Sequence, residues 1–184
     1  MRKFAVILAA FTLTLLIGCG NANKNAGNTG TAENAGNTAA TAAPDAVTSA
    51  SVVDNGEAFK KAISKDGTWI AATLKDLSFS EELVLDGQFI HKEEPARKIA
   101  LYTQDADHNI TNSFKLTAPK LTIRSENARI QGGTFVGDVY VEADGFAVVN
   151  ATIEGNVYFS DDKYQATYSA ADQGKVTGVT EVKK

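Results

Sequence analysis

Of the chain's 184 residues, 22 are acidic and 18 basic, giving a formal net charge of −4 at pH 7. Without a basic excess or a basic stripe, the sequence argues against a nucleic-acid partner and against adsorption to anionic lipid. Cys19 is the only cysteine, which excludes an intrachain disulfide and a cysteine-based metal site.

Arg2 and Lys3 precede an apolar run from Phe4 to Ile17. A charged start with a short apolar core is a secretory signal, and the run is too short for a comfortable membrane span. It ends in Leu16-Ile17-Gly18-Cys19, which resembles the lipobox of bacterial lipoproteins. The resemblance implies that residues 1–18 are removed and that Cys19 becomes an acylated N-terminus. The competing reading is an ordinary signal peptide with an incidental cysteine. Two acyl chains suffice for stable anchoring where one does not. The expected location is therefore extracytoplasmic, on an exported protein tied to a bacterial membrane through Cys19.

Residues 19–50 read as a tether. From Gly20 onward they are almost wholly Gly, Asn, Thr and Ala, with only Lys24, Glu33 and Asp45 charged. Such a composition buries too little surface to offset its ordering entropy. As a flexible coil the segment reaches roughly 30 Å. Loss of Arg2 and Lys3 with the signal leaves 16 basic against 22 acidic side chains, a net charge near −6. Residues 51–184 suffice for one domain.

The domain opens with a short helix. Asp54 or Asn55 is placed to cap it, Glu57 suits the positive end of its dipole, and Lys65-Asp66-Gly67 ends it. Phe59, Ala62 and Ile63 fall on one face, a natural plug for the open end of a stack of strands.

The stack itself is announced by a duplication. Residues 121–138 (LTIRSENARIQGGTFVGD) and 139–156 (VYVEADGFAVVNATIEGN) align without a gap over 18 residues. Leu121 matches Val139, Ile123 matches Val141, Ile130 matches Val148 and Phe135 matches Ile153; Gly137 matches Gly155. A short period of strand-like pieces marks a solenoid, whose repeats bury their apolar side against one another. Traced outward, apolar pairs recur at Leu77/Phe79, Ile99/Leu101, Leu121/Ile123, Val139/Val141 and Val157/Phe159, at intervals of 22, 22, 18 and 18. The extra residues fit insertions around His91–Pro95 and Asp105–His108. About five coils result, with Val176 and Val179 as candidates for a last turn.

Strict six-residue spacing, the mark of a left-handed β-helix, would bury Arg129 and expose Ile130 and Val148. An inward set at positions 1, 3, 8, 10, 13 and 15 avoids both faults and suits the unequal sides of a right-handed parallel β-helix. The helix, the strand-rich coils and the turns Gly137-Asp138-Val139 and Gly155-Asn156-Val157 resemble the pectate-lyase-like superfamily. The 18-residue coils also resemble bactofilins, polymer-forming β-helix proteins. These likenesses imply a fold, all-β with a capping helix, and leave function open.

On this reading the outer side of the first sheet carries Tyr102, Arg124, Tyr140, Glu142 and Tyr158. Adjacent aromatic rings with a few charges make a platform on which sugar rings can stack; the bland alternative is cross-strand packing of the rings. Arg124 and Glu142 read as a surface ion pair. Glu82, Gln104, Glu126, Asp144 and Asp162 share one turn position, with Asp161 beside the last. Oxygen ligands so spaced, above all Glu126, Asp144, Asp161 and Asp162, could share a Ca²⁺, against the alternative of a solvated turn. No other cofactor is expected. With a single carboxylate on that sheet face and both histidines (His91, His108) in insertion loops, no catalytic residue is assigned and the chain reads as a non-enzyme.

The expectation is therefore a lipoprotein presenting a non-catalytic β-helix for binding or scaffolding at the cell envelope, to glycan or another envelope protein. A bactofilin-like, self-associating polymer and a carbohydrate-active enzyme are the alternatives.

Overall fold

The computed structural model describes residues 50–183; the signal, Cys19 and residues 20–49 lie outside them. The described residues are all-β in class, built mainly of parallel strands. Among them no helix is long and apolar enough to cross a membrane.

Strand Ala50–Val53 pairs in parallel with Ile70–Thr73, and helix α1 (Gly56–Ile63) connects the two. Asn55 is the cap: its side chain accepts a hydrogen bond from the Ala58 amide at 2.9 Å, satisfying one of the helix's free donors. Glu57 lies in the first turn and Lys60 and Lys61 in the last, each matching the dipole. Phe59, Ala62 and Ile63 are buried in the main core, with Phe59 5.8 Å from the ring of Phe79.

From there the strands stack in three columns. One is a six-stranded sheet in the order Ala50–Val53, Ile70–Thr73, Arg97–Ala100, Ala128–Gln131, Ala147–Val149, Ser169–Ala171. The other two belong to one eight-stranded sheet, because the strands Lys115–Ile123 and Thr134–Val141 run through both. Their first halves pair with each other, with Leu77–Ser78 and with Thr152–Glu154. Their second halves continue to Leu83–Leu85 and Val157–Phe159. The register shifts between Thr117 and Lys120, where Pro119 has no amide to give a ladder.

The duplication is the pairing register. Leu121 faces Val139, which faces Val157, and Ile123 faces Val141, which faces Phe159. Ile130 pairs with Val148 and Phe135 with Ile153. In the second copy Val139, Val141, Phe146, Val148, Ala151 and Ile153, the six expected inward positions, are all buried. Arg129, which strict six-residue spacing would bury, is half-buried. The glycines matter where the copies turn: a Cβ on Gly155 would collide with the carbonyl oxygen of Gly137 directly beneath it.

The tracing toward the N-terminus is corrected. Leu83 and Leu85, not Leu77/Phe79 or Ile99/Leu101, lie against Leu121 and Ile123. Leu77 pairs with Leu116, and Ile99 with Ile130. Alternating strands all offer apolar pairs two residues apart, so spacing alone does not say which pairs stack. Both expected insertions exist, but in the one stretch between the paired residues Leu83 and Leu121. Each is an antiparallel hairpin: Ile90–His91 with Glu94–Pro95, and Tyr102–Gln104 with Ile110–Ser113.

The last turn pairs Val176 with Ile153 and Val182 with Phe159, while Val179 is exposed. Before it, Asp161 caps the short helix α2 (Asp162–Ala166). Tyr168 then packs edge-on to Phe159 at 5.4 Å and stacks 5.9 Å from Phe146.

Candidate functional site

Outward positions of the column that contains Leu121 run Val84, Thr122, Tyr140, Tyr158, Glu181, each in register with the next. Tyr140 and Tyr158 are therefore adjacent, as expected, with ring centroids 5.0 Å apart and planes inclined at 47°. Both are half-buried. The Lys183 ammonium stands 4.3 Å from the Tyr158 ring centroid, and that of Lys120 stands 5.3 Å from Tyr140. Lys120 is also paired with Glu82 at 2.6 Å. Arg124 and Glu142 form an ion pair at 2.9 Å between exposed side chains, worth about 0–1 kcal/mol. The pair thus offers a small aromatic surface with lysine ammonium groups over its rings.

Tyr102 does not join it, which corrects the expected platform. It belongs to the second hairpin and packs on Gly132, where a Cβ would stand 2.6 Å from its ring. Its hydroxyl is 3.2 Å from the Lys98 ammonium. Together Tyr102 and Trp69 cover a second apolar cluster, Ile70, Ala72 and Ala100, on the outer side of the six-stranded sheet. Insertion lengths misread by one coil put Tyr102 in the wrong column.

The expected acidic column is also only partly formed. Glu126 and Asp144 occupy matching turns, where the Asn127 amide donates to the Asp144 carbonyl at 2.9 Å. Asp161 is engaged as a helix cap, accepting from the Lys163 amide at 3.0 Å, and Asp162 lies in the first turn of that helix. Glu82 and Gln104 fall outside the column, Glu82 on Lys120 and Gln104 on His108. Among the described residues no three His, Cys, Asp or Glu side chains converge as a metal site would require. In the Asp105–Asn109 loop, the Asn109 amides hold the Asp105 carboxyl below its usual pKa, which closes the hairpin turn.

Two features escaped the sequence reading. His91, in the first hairpin, stacks on Trp69 with centroids 3.9 Å apart and planes at 15°. Beside this stack lies a cleft of about 370 Å³, lined among others by Lys92, Glu94, Asn127 and Arg129. Arg97 reaches its wall yet is almost fully buried. Its guanidinium donates to the carbonyls of Ala62 (3.0 Å), Ser64 (2.8 Å) and Thr68 and lies over the Phe89 ring at 4.0 Å. Burial lowers its pKa to about 10, partly opposed by Asp86, so it remains a cation at neutral pH. A single Trp and, far from it in the sequence, a Pro-containing charged loop with a His were the available signals. Arg97 gave none, since a charged residue reads as surface.

Fold and surface together define an all-β protein of paired parallel strands with two surfaces on different sheets that bring aromatic rings and cations together. Comparison with protein-family profiles, curated proteins and solved structures returns no match.

Proposed function

We propose that the chain is an exported bacterial lipoprotein, anchored through Cys19, that presents a non-catalytic right-handed β-helix for glycan binding at the cell envelope. The three columns and the 18-residue register of Leu121, Val139 and Val157 support the helical coil, and right-handed crossovers are the rule for parallel strands. Residues 19–49 serve as the tether that holds the domain off the membrane.

The observation that carries the binding role is the Tyr140–Tyr158 pair, set in register with centroids 5.0 Å apart. Flat aromatic faces suit the apolar faces of sugar rings, and the flanking lysines supply donors for hydroxyl or acidic groups. The test is a glycan array probed with the full-length protein. The parent is expected to retain a wall or capsule glycan that the Tyr140→Ala/Tyr158→Ala double variant does not, with circular dichroism unchanged. Equal retention by the double variant refutes the platform.

A further inference from the structure

The cleft beside Trp69 is lined by more cations than carboxylates. Arg129 sits mid-strand in the six-stranded sheet, and Lys92 at the tip of the first hairpin; among the described residues neither side chain has an ion-pair or hydrogen-bond partner. Arg97 adds a third cation to the wall. Its terminal nitrogens are satisfied by carbonyls, but its buried Nε–H has no acceptor. Glu94 is the one carboxylate in the lining. A chain that is acidic overall has thus gathered an excess of cations in one concave place.

The neighbouring wall is flat and aromatic. Trp69 and His91 stack nearly parallel, and Trp69 rests on Ile70, Ala72 and Ala100, so the indole is held from beneath. The hairpin that carries His91 and Lys92 adopts left-handed backbone at Lys92 and Glu93, with φ of 52° and 71°. This tight turn sets the Lys92 side chain at the cleft. A volume of about 370 Å³ lies at the small end of ligand pockets, which run from about 300 to 1,000 Å³. It suits one or two rings, not a long polymer segment.

We propose that this cleft binds an oxyanion carried on a sugar ring, a carboxylated or phosphorylated saccharide, with Arg129 and Lys92 holding the anion and the Trp69–His91 stack packing the ring. A guanidinium matches carboxylate or phosphate through paired N–H donors, and anions gain most where cations are partly desolvated. The site lies on a different sheet from Tyr140 and Tyr158. It therefore goes beyond the glycan platform and stands or falls separately.

Trp69 is the only tryptophan in the chain, so its emission reads the site directly. The full-length protein is titrated with glucuronate, glucose 6-phosphate and glucose, following Trp69 fluorescence and binding heat. At least one anionic sugar is expected to bind and shift the emission while glucose does not; which of the two binds more tightly distinguishes carboxylate from phosphate. Arg129→Gln and Lys92→Ala, which remove side chains without a hydrogen-bond or ion-pair partner among the described residues, should each weaken binding by about tenfold or more. The Tyr140→Ala/Tyr158→Ala variant should bind as the parent does. Glucose binding as well as its anionic forms, no response to either anion, or undiminished binding by both charge variants overturns the proposal. A failed glycan array with a successful Trp69 titration would remove the tyrosine platform alone.

Discussion

The carboxylate of Asp138 accepts two hydrogen bonds from Asn156, one from its backbone amide and one from its side-chain Nδ2, each 2.9 Å long. The contact continues upward, for Asn156 Oδ1 accepts from the Val179 amide at 3.0 Å. The corner that appeared in the sequence as Gly-Asp-Val and Gly-Asn-Val is thus a polar ladder. It satisfies backbone groups at the point where the strands turn and their own pairing lapses.

Asn156→Ala should leave the Val179 amide without its acceptor and remove one of the two hydrogen bonds to Asp138 Oδ1, the backbone amide of residue 156 keeping the other. A loss of roughly 1–3 kcal/mol is expected, read as a lower urea midpoint with an unchanged slope. Asn156→Asp should cost at least as much at low salt, because two carboxylates then meet, and should recover partly as salt screens them. An unchanged midpoint in both variants would show that the corner carries no stability.

Arg97 ties the end of α1 to the six-stranded sheet through the carbonyls of Ala62, Ser64 and Thr68. Arg97→Met keeps the bulk and removes the donors. With hydrogen bonds to charged groups worth about 1.5–3 kcal/mol, the variant should lose at least that much in chemical denaturation. Amide exchange should rise first in α1. Parental exchange across residues 56–64 would contradict the role.

Burial raises the pKa of the Tyr168 hydroxyl above its ordinary value. A group whose pKa is raised by folding contributes stability that is complete below the unfolded pKa, about 10, and is lost as pH rises through the folded value. Arg97, lowered to about 10 by burial, acts in the opposite sense in the same window. The measurement is therefore the difference between parent and Tyr168→Phe. Between neutral pH and alkaline pH above 10, the parent should lose stability relative to the variant; parallel pH profiles would argue against a buried phenol.

Cys19→Ala should abolish incorporation of labelled palmitate and leave the precursor uncleaved. Undiminished labelling in that variant would end the lipoprotein reading while leaving the fold untouched.

Some of this architecture is readable from residues alone. Leu121, Val139 and Val157 had to align, as did Ile130 with Val148 and Phe135 with Ile153, because a gapless 18-residue period leaves one register in which every apolar side chain meets its repeat. Tyr140 and Tyr158 became neighbours by the same logic, since side chains between two inward positions point outward together. The places of the two hairpins were also legible, from a proline-bearing charged run and a cluster of turn-forming residues.

What the sequence could not decide was which strands meet once the period is interrupted. Leu83 rather than Leu77 or Ile99 pairs with Leu121 because both hairpins lie in the stretch between those two residues, and an apolar pair two residues apart looks the same in any strand. Tyr102 was misplaced for that reason. The stacking of Trp69 on His91 and the burial of Arg97 were likewise settled only in three dimensions. A charged side chain goes inside only where acceptors meet it, and the carbonyls of Ala62, Ser64 and Thr68 come from a helix end and the turn after it, some thirty residues earlier in the chain. Local pattern fixes which way a side chain points; the partner it finds depends on segments that only the folded chain brings together.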